Sequence, residues 1–353
     1  MKGVIFKKVC KSFGSLSVLN SLSISVEPGE FFVVLGPSGE GKTTILNIAA
    51  GIIRLNSGMV KIDGEIVDNS TDSYVPPETR GIGYVFQNYA LYPHMNVYKN
   101  IAFPLKMKKL QKDEIDSRVR RVAGMFEIDH LLERRPAQLS GGQQQRVAIA
   151  RAIVKEPEVL LMDEPFSNLE PNLRNTVRTE IRRLIKKLGI TTIMATHDTE
   201  EAMSLADRVA ILRKGRLEQV GIPSRIYEQP KSLFVANFLG GINTLKVAVE
   251  NGNIKLGKLN LKLESNNGNG IDKHVLLGFR PEHVVLGNGP LAGKVVDSEY
   301  LGGVWTTFID TEAGQIKAVS NSEPDIGTNI SFKVSSFHVY NEEGEFLNHS
   351  STS

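Results

Sequence analysis

The chain has 353 residues, 42 Lys+Arg against 39 Asp+Glu for a net charge of +3, and one cysteine. That length allows two domains, the lone Cys10 excludes an intramolecular disulfide and fits a reducing compartment, and no Cys/His cluster points to zinc. No apolar run approaches the roughly 18 residues of a membrane-spanning helix, and Met1 to Lys8 holds too short an apolar core for a signal peptide.

In chain order, Phe31 to Leu35 reads as a short buried strand, and Ile45, Leu46, Ile48, Ala49 and Ala50 fall at helical spacing. Between them lies Gly36-Pro37-Ser38-Gly39-Glu40-Gly41-Lys42-Thr43-Thr44. It fits G-x-x-x-x-G-K-[ST] in the strand–loop–helix setting that this phosphate-binding pattern needs. The glycines let backbone N–H groups turn inward as an anion nest. The helix adds its positive end. Lys42 can reach terminal phosphates, and the Thr43 hydroxyl can sit on Mg²⁺. Glu40 is an unusual acid in such a loop, and its carboxylate must point away from any phosphate.

Leu139 to Arg146 precedes a helical pattern carrying Val147, Ala148, Ala150, Ile153 and Val154, which stops before Pro157. Ser140 and Gln143 make a capping box with Ser140 as N-cap. Alone, that signals an ordinary capped helix. With the glycine loop upstream, the Ser140 hydroxyl and the N–H groups of Gly141 and Gly142 form a second anion site. Two phosphate-binding ends on one chain predict a head-to-tail pair of copies, each nucleotide lying between one copy's loop and the other's Ser140 site.

Val159 to Met162 reads as a buried strand ending in Asp163-Glu164-Pro165. Carboxylates at a strand's C-terminal end point into the ligand crevice of an open α/β sheet. Asp163 is the expected Mg²⁺ ligand, and Glu164 the group that orients and polarises an attacking water. Leu173, Val177, Ile181, Leu184, Ile185 and Leu188 mark one face of a helix ending at Lys186-Lys187 and Gly189. Ile190 to Ala195 then delivers Thr196-His197-Asp198 to the same edge, where His197 can touch a γ-phosphate.

Composition shifts near residue 236. From Ala236 onward there are 9 Lys+Arg and 13 Asp+Glu, net −4, leaving +7 on residues 1–235. From Gly240 onward lie 15 of the 32 glycines. Short runs such as Lys273 to Phe279, Trp305 to Ile309 and Ile330 to Val334 between Gly/Asn turns predict a small β-barrel.

In this order and spacing the segments resemble the ATP-binding cassette ATPases, the motor subunits of ABC transporters, continuously from residue 4 to about 240. The resemblance implies a P-loop (RecA-like) α/β core with an antiparallel β subdomain and a helical subdomain at about 88–155, all within 1–235. A C-terminal all-β OB/TOBE-like regulatory domain is expected over 236–353. Leu277 to His283 resembles the R-P-E signature of that domain in importer ATPases of the maltose type, and Glu299 to Gly303 resembles it too.

Residue by residue, Gly36 to Thr44 matches the Walker A loop, Leu139 to Gln143 the signature, Asp163 Walker B and Glu164 the catalytic glutamate. Gln87, in Tyr84-Val85-Phe86-Gln87, matches the glutamine that contacts Mg²⁺ and senses the membrane partner. His197 matches the switch histidine, and Phe13 the aromatic stacked on adenine. The implied catalytic set is Glu164, His197, Gln87 and Lys42. The implied Mg²⁺ set is Thr43, Gln87 and Asp163. ATP contacts are implied for Phe13, the nine loop residues and Ser140, Gly141, Gly142 and Gln143. Ser167-Asn168-Leu169-Glu170 occupies the D-loop, where Glu170 replaces the usual aspartate.

The resemblance further implies a homodimer at the cytoplasmic face of the membrane. Two transmembrane permease subunits would dock near Gln87 to Val97, with an extracytoplasmic solute-binding protein engaged indirectly and a possible regulatory partner of the tail. In the Asn88 to Val97 segment, Tyr89, Leu91 and Tyr92 fit either a docking groove or local core. A sugar is the expected solute, with polyamine, ferric iron, sulfate or phosphonate as alternatives. A soluble ATPase acting on DNA or ribosomes is the reading from another class. The 95 residues between Thr44 and Ser140 leave no room for a long coiled coil, and there is one cassette instead of two, so no nucleic-acid partner is expected. A scaffold without turnover would lean on Glu170, against intact Glu164, His197 and Gln87.

Overall fold

The computed structural model describes residues 3–250, 253–256, 259–262 and 273–351. In the first unit, Met1–Arg225, β1 (Val4–Phe13) and β2 (Leu16–Val26) pair antiparallel. With β4 (Ser57–Ile62) and β5 (Glu65–Asp68) they form a sheet of order β2-β1-β4-β5. Val4, Phe6, Leu22, Ile24 and Val26 point inward while Ile5 is exposed, the alternation of a sheet with one buried face.

A second sheet has the order β10-β9-β3-β8-β7-β6. It holds β3 (Phe31–Leu35), β6 (Ile82–Val85), β7 (Val159–Asp163), β8 (Thr191–Thr196), β9 (Arg208–Arg213) and β10 (Arg216–Gly221). All but β10 run parallel. Parallel strands covered on both faces read as continuous apolar runs, and every residue of β3, β7 and β8 is buried. Helix α1 (Lys42–Ala50) contributes Ile45, Leu46, Ile48 and Ala49 to a core shared with both sheets. The parallel registers bring Leu35 beside Thr196 and Asp163 beside Ala195. The residues that follow these strand ends therefore share one edge.

Three helices, α2 (Val97–Met107), α3 (Lys112–Met125) and α4 (Gly141–Ile153), lie between β6 and β7 in the chain and form the helical subdomain. α5 (Pro171–Leu188) buries Val177, Ile181 and Ile185, and Gly189 closes it in the left-handed conformation. Leu188 is exposed at that helix end, unlike its expected place on the buried face. The side chain of Leu173 lies outside the described residues. α6 (Thr199–Leu205) follows β8. Among the described residues, no helix is long and apolar enough to cross a membrane.

The second unit, Ile226–Ser353, begins ten residues before the expected 235/236 boundary. After α7 (Pro223–Glu228), α8 (Leu233–Phe238) is tied into this unit. The buried Arg280 donates to the carbonyls of Ala236 at 2.7 Å and Gly241 at 2.5 Å, and its guanidinium lies 4.0 Å from the Tyr227 ring centroid. The Arg280-Pro281-Glu282 segment is thus a structural clamp, with the Tyr227 hydroxyl donating to Glu282 at 2.6 Å.

One antiparallel sheet of this unit comprises β11 (Asn243–Glu250), β12 (Asn253–Leu256), β13 (Leu259–Lys262), β14 (His274–Phe279), β19 (Ser336–Tyr340) and β20 (Phe346–Ser351). The other comprises β15 (Val284–Tyr300), β16 (Trp305–Thr311), β17 (Gly314–Ser320) and β18 (Asn329–Val334). Leu245, Val275 and Leu277 from the first sheet join Ile309, Ile316 and Phe332 from the second in a single core. The second unit is thus all-β apart from short helical turns, as expected for an OB/TOBE-like domain.

Candidate nucleotide site

The glycine loop follows β3 and opens α1. Gly39 and Gly41 have φ of 84° and 91°, where a side chain is strained. At Gly36 a Cβ would lie 2.8 Å from the Leu212 carbonyl oxygen. The backbone path therefore requires small residues, the condition for a phosphate cradle.

Lys42 Nζ donates to the carbonyls of Gly36 at 2.8 Å and Pro37 at 2.7 Å, folding the ammonium over the loop. Burial pushes its pKa down, opposed by the charges of Glu164, Asp163 and Glu40. Glu40 turns outward, as charge repulsion demands, and its carboxylate accepts from the Gly215 N–H at 3.2 Å. Only its backbone remains available to the cradle.

At the ends of β7 and β8 two linked clusters form. Thr43 Oγ1 donates to Asp163 Oδ1 at 3.0 Å. Burial raises the Asp163 pKa, and the Thr43 hydrogen bond works against that rise. Next to it, Glu164 accepts from Gln87 Nε2 at 3.0 Å on one oxygen and lies 2.9 Å from His197 Nδ1 on the other. Glu164 sits at φ 42°, a left-handed conformation that turns its side chain sharply at the strand end. Asn168 Nδ2 donates to the Gln87 carbonyl at 2.9 Å, and Ser167 Oγ donates to the Glu164 carbonyl at 2.9 Å. Residues 167 and 168 thus brace the Gln87–Glu164–His197 group.

The donor set fits magnesium. Thr43, Asp163 and Gln87 offer hard oxygen ligands, and Mg²⁺ takes few protein ligands while keeping water and substrate phosphate oxygens. Among the described residues no group of three or more His, Cys, Asp or Glu could hold a metal by itself.

Two expected members make no hydrogen bond to these clusters among the described residues. Ser140 caps α4, accepting from Gln143 N at 3.4 Å while the Gln143 side chain accepts from Ser140 N at 3.0 Å. Among the described residues, no hydrogen bond joins this helix end to Lys42, Thr43 or Thr44; a Cβ on Gly141 would instead lie 3.3 Å from the Asn168 carbonyl. Phe13, at the end of β1, is 47% exposed with Lys11 Nζ 4.9 Å from its ring centroid. Its strand partner β2 packs on the loop, since a Cβ on Gly41 would meet Leu19 at 2.8 Å.

Structure also brings in residues that the motifs do not contain. Buried Arg80 donates to the carbonyls of Ile48 at 2.9 Å and Ala49 at 2.8 Å, satisfying the C-terminal turn of α1. Buried Asn100 and Arg151 hold the segment after Gln87. In that segment Tyr89 is core, Leu91 and Tyr92 are half-buried, and Pro93 and His94 are exposed.

Comparison with known proteins agrees with this geometry. Residues 19–167 match the ABC transporter family and residues 277–337 the TOBE domain. The trehalose/maltose import ATP-binding protein MalK of Thermococcus litoralis is 40% identical, over 97% of this chain and 98% of its own length. The glucose import ATP-binding protein GlcV of Saccharolobus solfataricus is 41% identical, over 88% of this chain and 89% of its own. The spermidine/putrescine import ATP-binding protein PotA of Haemophilus influenzae is 47% identical, over 69% and 64% respectively. The solved structure of cbiO1 from Clostridium perfringens, part of the ABC transporter complex cbiONQ, superposes with a TM-score of 0.59 at 30% identity, over 64% of this chain and 90% of its own.

Proposed function

The chain belongs to the ABC transporter family as the ATP-binding, ATP-hydrolysing subunit of an importer, and we propose that it is a homodimeric motor for uptake of a sugar. One observation carries the mechanism: Glu164 is held between Gln87 and His197, next to the Thr43–Asp163 pair. A carboxylate held from both sides at a strand end can accept a proton from water aimed at a γ-phosphate. His197 orients that water, and Lys42 with the loop N–H groups offsets the phosphate charge. Thr43, Asp163 and Gln87 would hold magnesium, which when bound neutralises charge on the transferred group.

The dimer reading rests on one chain carrying two helix starts suited to anions, the glycine loop at α1 and the Ser140 cap at α4. A second copy, head to tail, would lay its Ser140 end over the first copy's loop. Closure then assembles each site only when both copies hold nucleotide. Permease subunits would dock on the exposed Pro93 and His94 of the segment after Gln87, placing the chain on the cytoplasmic membrane face. A solute-binding protein would act through those subunits. The sugar reading is supported by relatives named for trehalose/maltose and glucose import that match nearly the whole chain. The polyamine-named relative matches a shorter part of both chains.

Phosphate release by the purified chain with Mg-ATP tests the motor. The specific rate should rise with protein concentration as dimers form. Full turnover by a chain that stays monomeric with Mg-ATP on size exclusion at the same concentration would refute the two-copy site. Uptake of labelled maltose, trehalose, glucose and spermidine by cells with and without the chain tests the solute. Loss of spermidine uptake alone would overturn the sugar assignment.

A further inference from the structure

Two consecutive residues shortly after Gln87 have left-handed backbone, Tyr89 at φ 61° and Ala90 at φ 46°. Neither is glycine, asparagine or aspartate, so both carry the steric cost of that region. The Tyr89 hydroxyl is also buried without a hydrogen-bond partner. Such a segment keeps its shape only where its surroundings overdetermine it.

Arg151 is the group that does so. Its Nη1 donates to the Ala90 carbonyl at 2.7 Å and its Nη2 to the Tyr89 carbonyl at 2.8 Å. The side chain is buried, and its guanidinium lies 5.5 Å from the Tyr92 ring centroid. A rigid planar fork can serve two adjacent carbonyls at once, and a lysine ammonium cannot reproduce that geometry. Farther along, fully buried Asn100 accepts from the Tyr92 N–H at 2.8 Å and donates to the carbonyls of Tyr92, Met95 and Asn96. The far end of the segment is therefore anchored separately.

Arg151 stands on α4, ten residues beyond Gly141, or about 15 Å along the helix at 1.5 Å per residue. One rigid helix thus carries the Ser140 anion site at its start and grips the segment after Gln87 near its end. We propose that Arg151 is a positioning residue that locks residues 89–90 to this helix. It couples the placement of Gln87, and through it Glu164, to the placement of the Ser140 site. The kinetic consequence rests on the ATPase reading above; the structural one does not.

The test uses the full chain and residue-resolved hydrogen exchange. The amides of Tyr89 and Ala90 are bonded within the segment, to the carbonyls of Phe86 and Asn88. In Arg151→Lys, and in Arg151→Met, they should exchange about 5- to 30-fold faster, the population cost of one strained residue. The Ile45 amide at the glycine loop should not change. Ala90 is exposed, so Ala90→Gly relieves strain without opening a cavity. Added to Arg151→Lys, it should restore protection to within about threefold of the parent. Turnover in Arg151→Lys should fall about tenfold at an unchanged KM for ATP, and Ala90→Gly should recover part of that loss. The proposal is overturned by unchanged exchange in both Arg151 variants. It is equally overturned by faster exchange spread evenly over β6, α1 and α4, or by no recovery in the double variant. Absence of ATP hydrolysis in the parent chain would instead defeat the ATPase reading and leave the exchange comparison standing.

Discussion

Replacing Glu164 by glutamine isolates basicity from shape. The carboxylate now accepts from Gln87 Nε2 at 3.0 Å and faces His197 Nδ1 at 2.9 Å. A glutamine can turn its amide oxygen toward Gln87 and its NH₂ toward His197, which then accepts on Nδ1 and carries its proton on Nε2. Both contacts survive, so the loop, the Thr43–Asp163 pair and ATP binding should be intact. What disappears is a proton acceptor at the water. General-base catalysis is worth roughly 10²- to 10⁴-fold, or about 2.7–5.4 kcal/mol of barrier. Turnover at saturating Mg-ATP should drop by that factor while the ATP dissociation constant stays within about threefold. Phosphate release and nucleotide titration measure the two quantities. The variant should also accumulate as an ATP-dependent dimer on size exclusion. Turnover within about threefold of the parent, or a raised KM with turnover intact, would show that Glu164 is not the base.

Lys42→Ala removes the ammonium folded over the glycine loop, and should lower turnover at least about 100-fold, as for loss of one preorganised charge-stabilising donor; undiminished phosphate release would remove the loop from the site. Phe13→Ala should weaken ATP binding about 5- to 150-fold, the equivalent of roughly 1–3 kcal/mol of base stacking, and the parent should accept GTP because stacking tolerates base identity; unchanged ATP affinity in the variant would assign the base to another group. Glu201→Gln tests a buried carboxyl whose pKa is raised above 4.5, chiefly by burial and against the hydrogen bond from Thr196. Because the folded state favours its protonated form, its stabilisation is present below the ordinary pKa and is lost as pH rises through the raised value. The variant should therefore match the parent in melting near pH 4 and melt higher at pH 7, by about 2–4 °C for each ~1 kcal/mol relieved; a difference independent of pH would contradict this.

What could be read from the chain was whatever repeats locally. Strand β3 showed as an unbroken apolar run, and β7 and β8 as short runs with apolar centres, because parallel strands are covered on both sides. The Ser140 cap showed because its partner Gln143 is three residues away. The outward turn of Glu40 followed from charge alone, although its partner, the Gly215 N–H, could not be named. Arg80, Asn100 and Arg151 were invisible for one shared reason. Their partners are largely main-chain groups, on distant segments for Arg80 and Arg151 and on the preceding turn for Asn100, and every residue type offers the same carbonyl. A buried arginine that binds Ile48 and Ala49 reads in sequence like any surface cation. The start of the second unit at Ile226 was not legible either, since Arg280 reaches back to the carbonyl and ring of Tyr227.

That distinction bears on how the site would be controlled. The groups proposed to do chemistry sit on strand ends and a glycine loop fixed by the shared core of the first unit. Gln87 is different. Its side chain holds Glu164, its carbonyl holds Asn168, and the residues just beyond it are held by Arg151 on α4. A displacement of α4 or of the 167–168 turn must therefore either carry Gln87 along or break one of these bonds. Where Gln87 is carried along, Glu164 keeps His197 and loses its second support. The base would remain in place chemically yet be free to swing, so turnover would fall without any change at the phosphate loop. On the function proposed above, control by partners outside the loop would act through the hydrogen bonds of one glutamine and would need no rearrangement of the strands that carry Asp163 and Glu164.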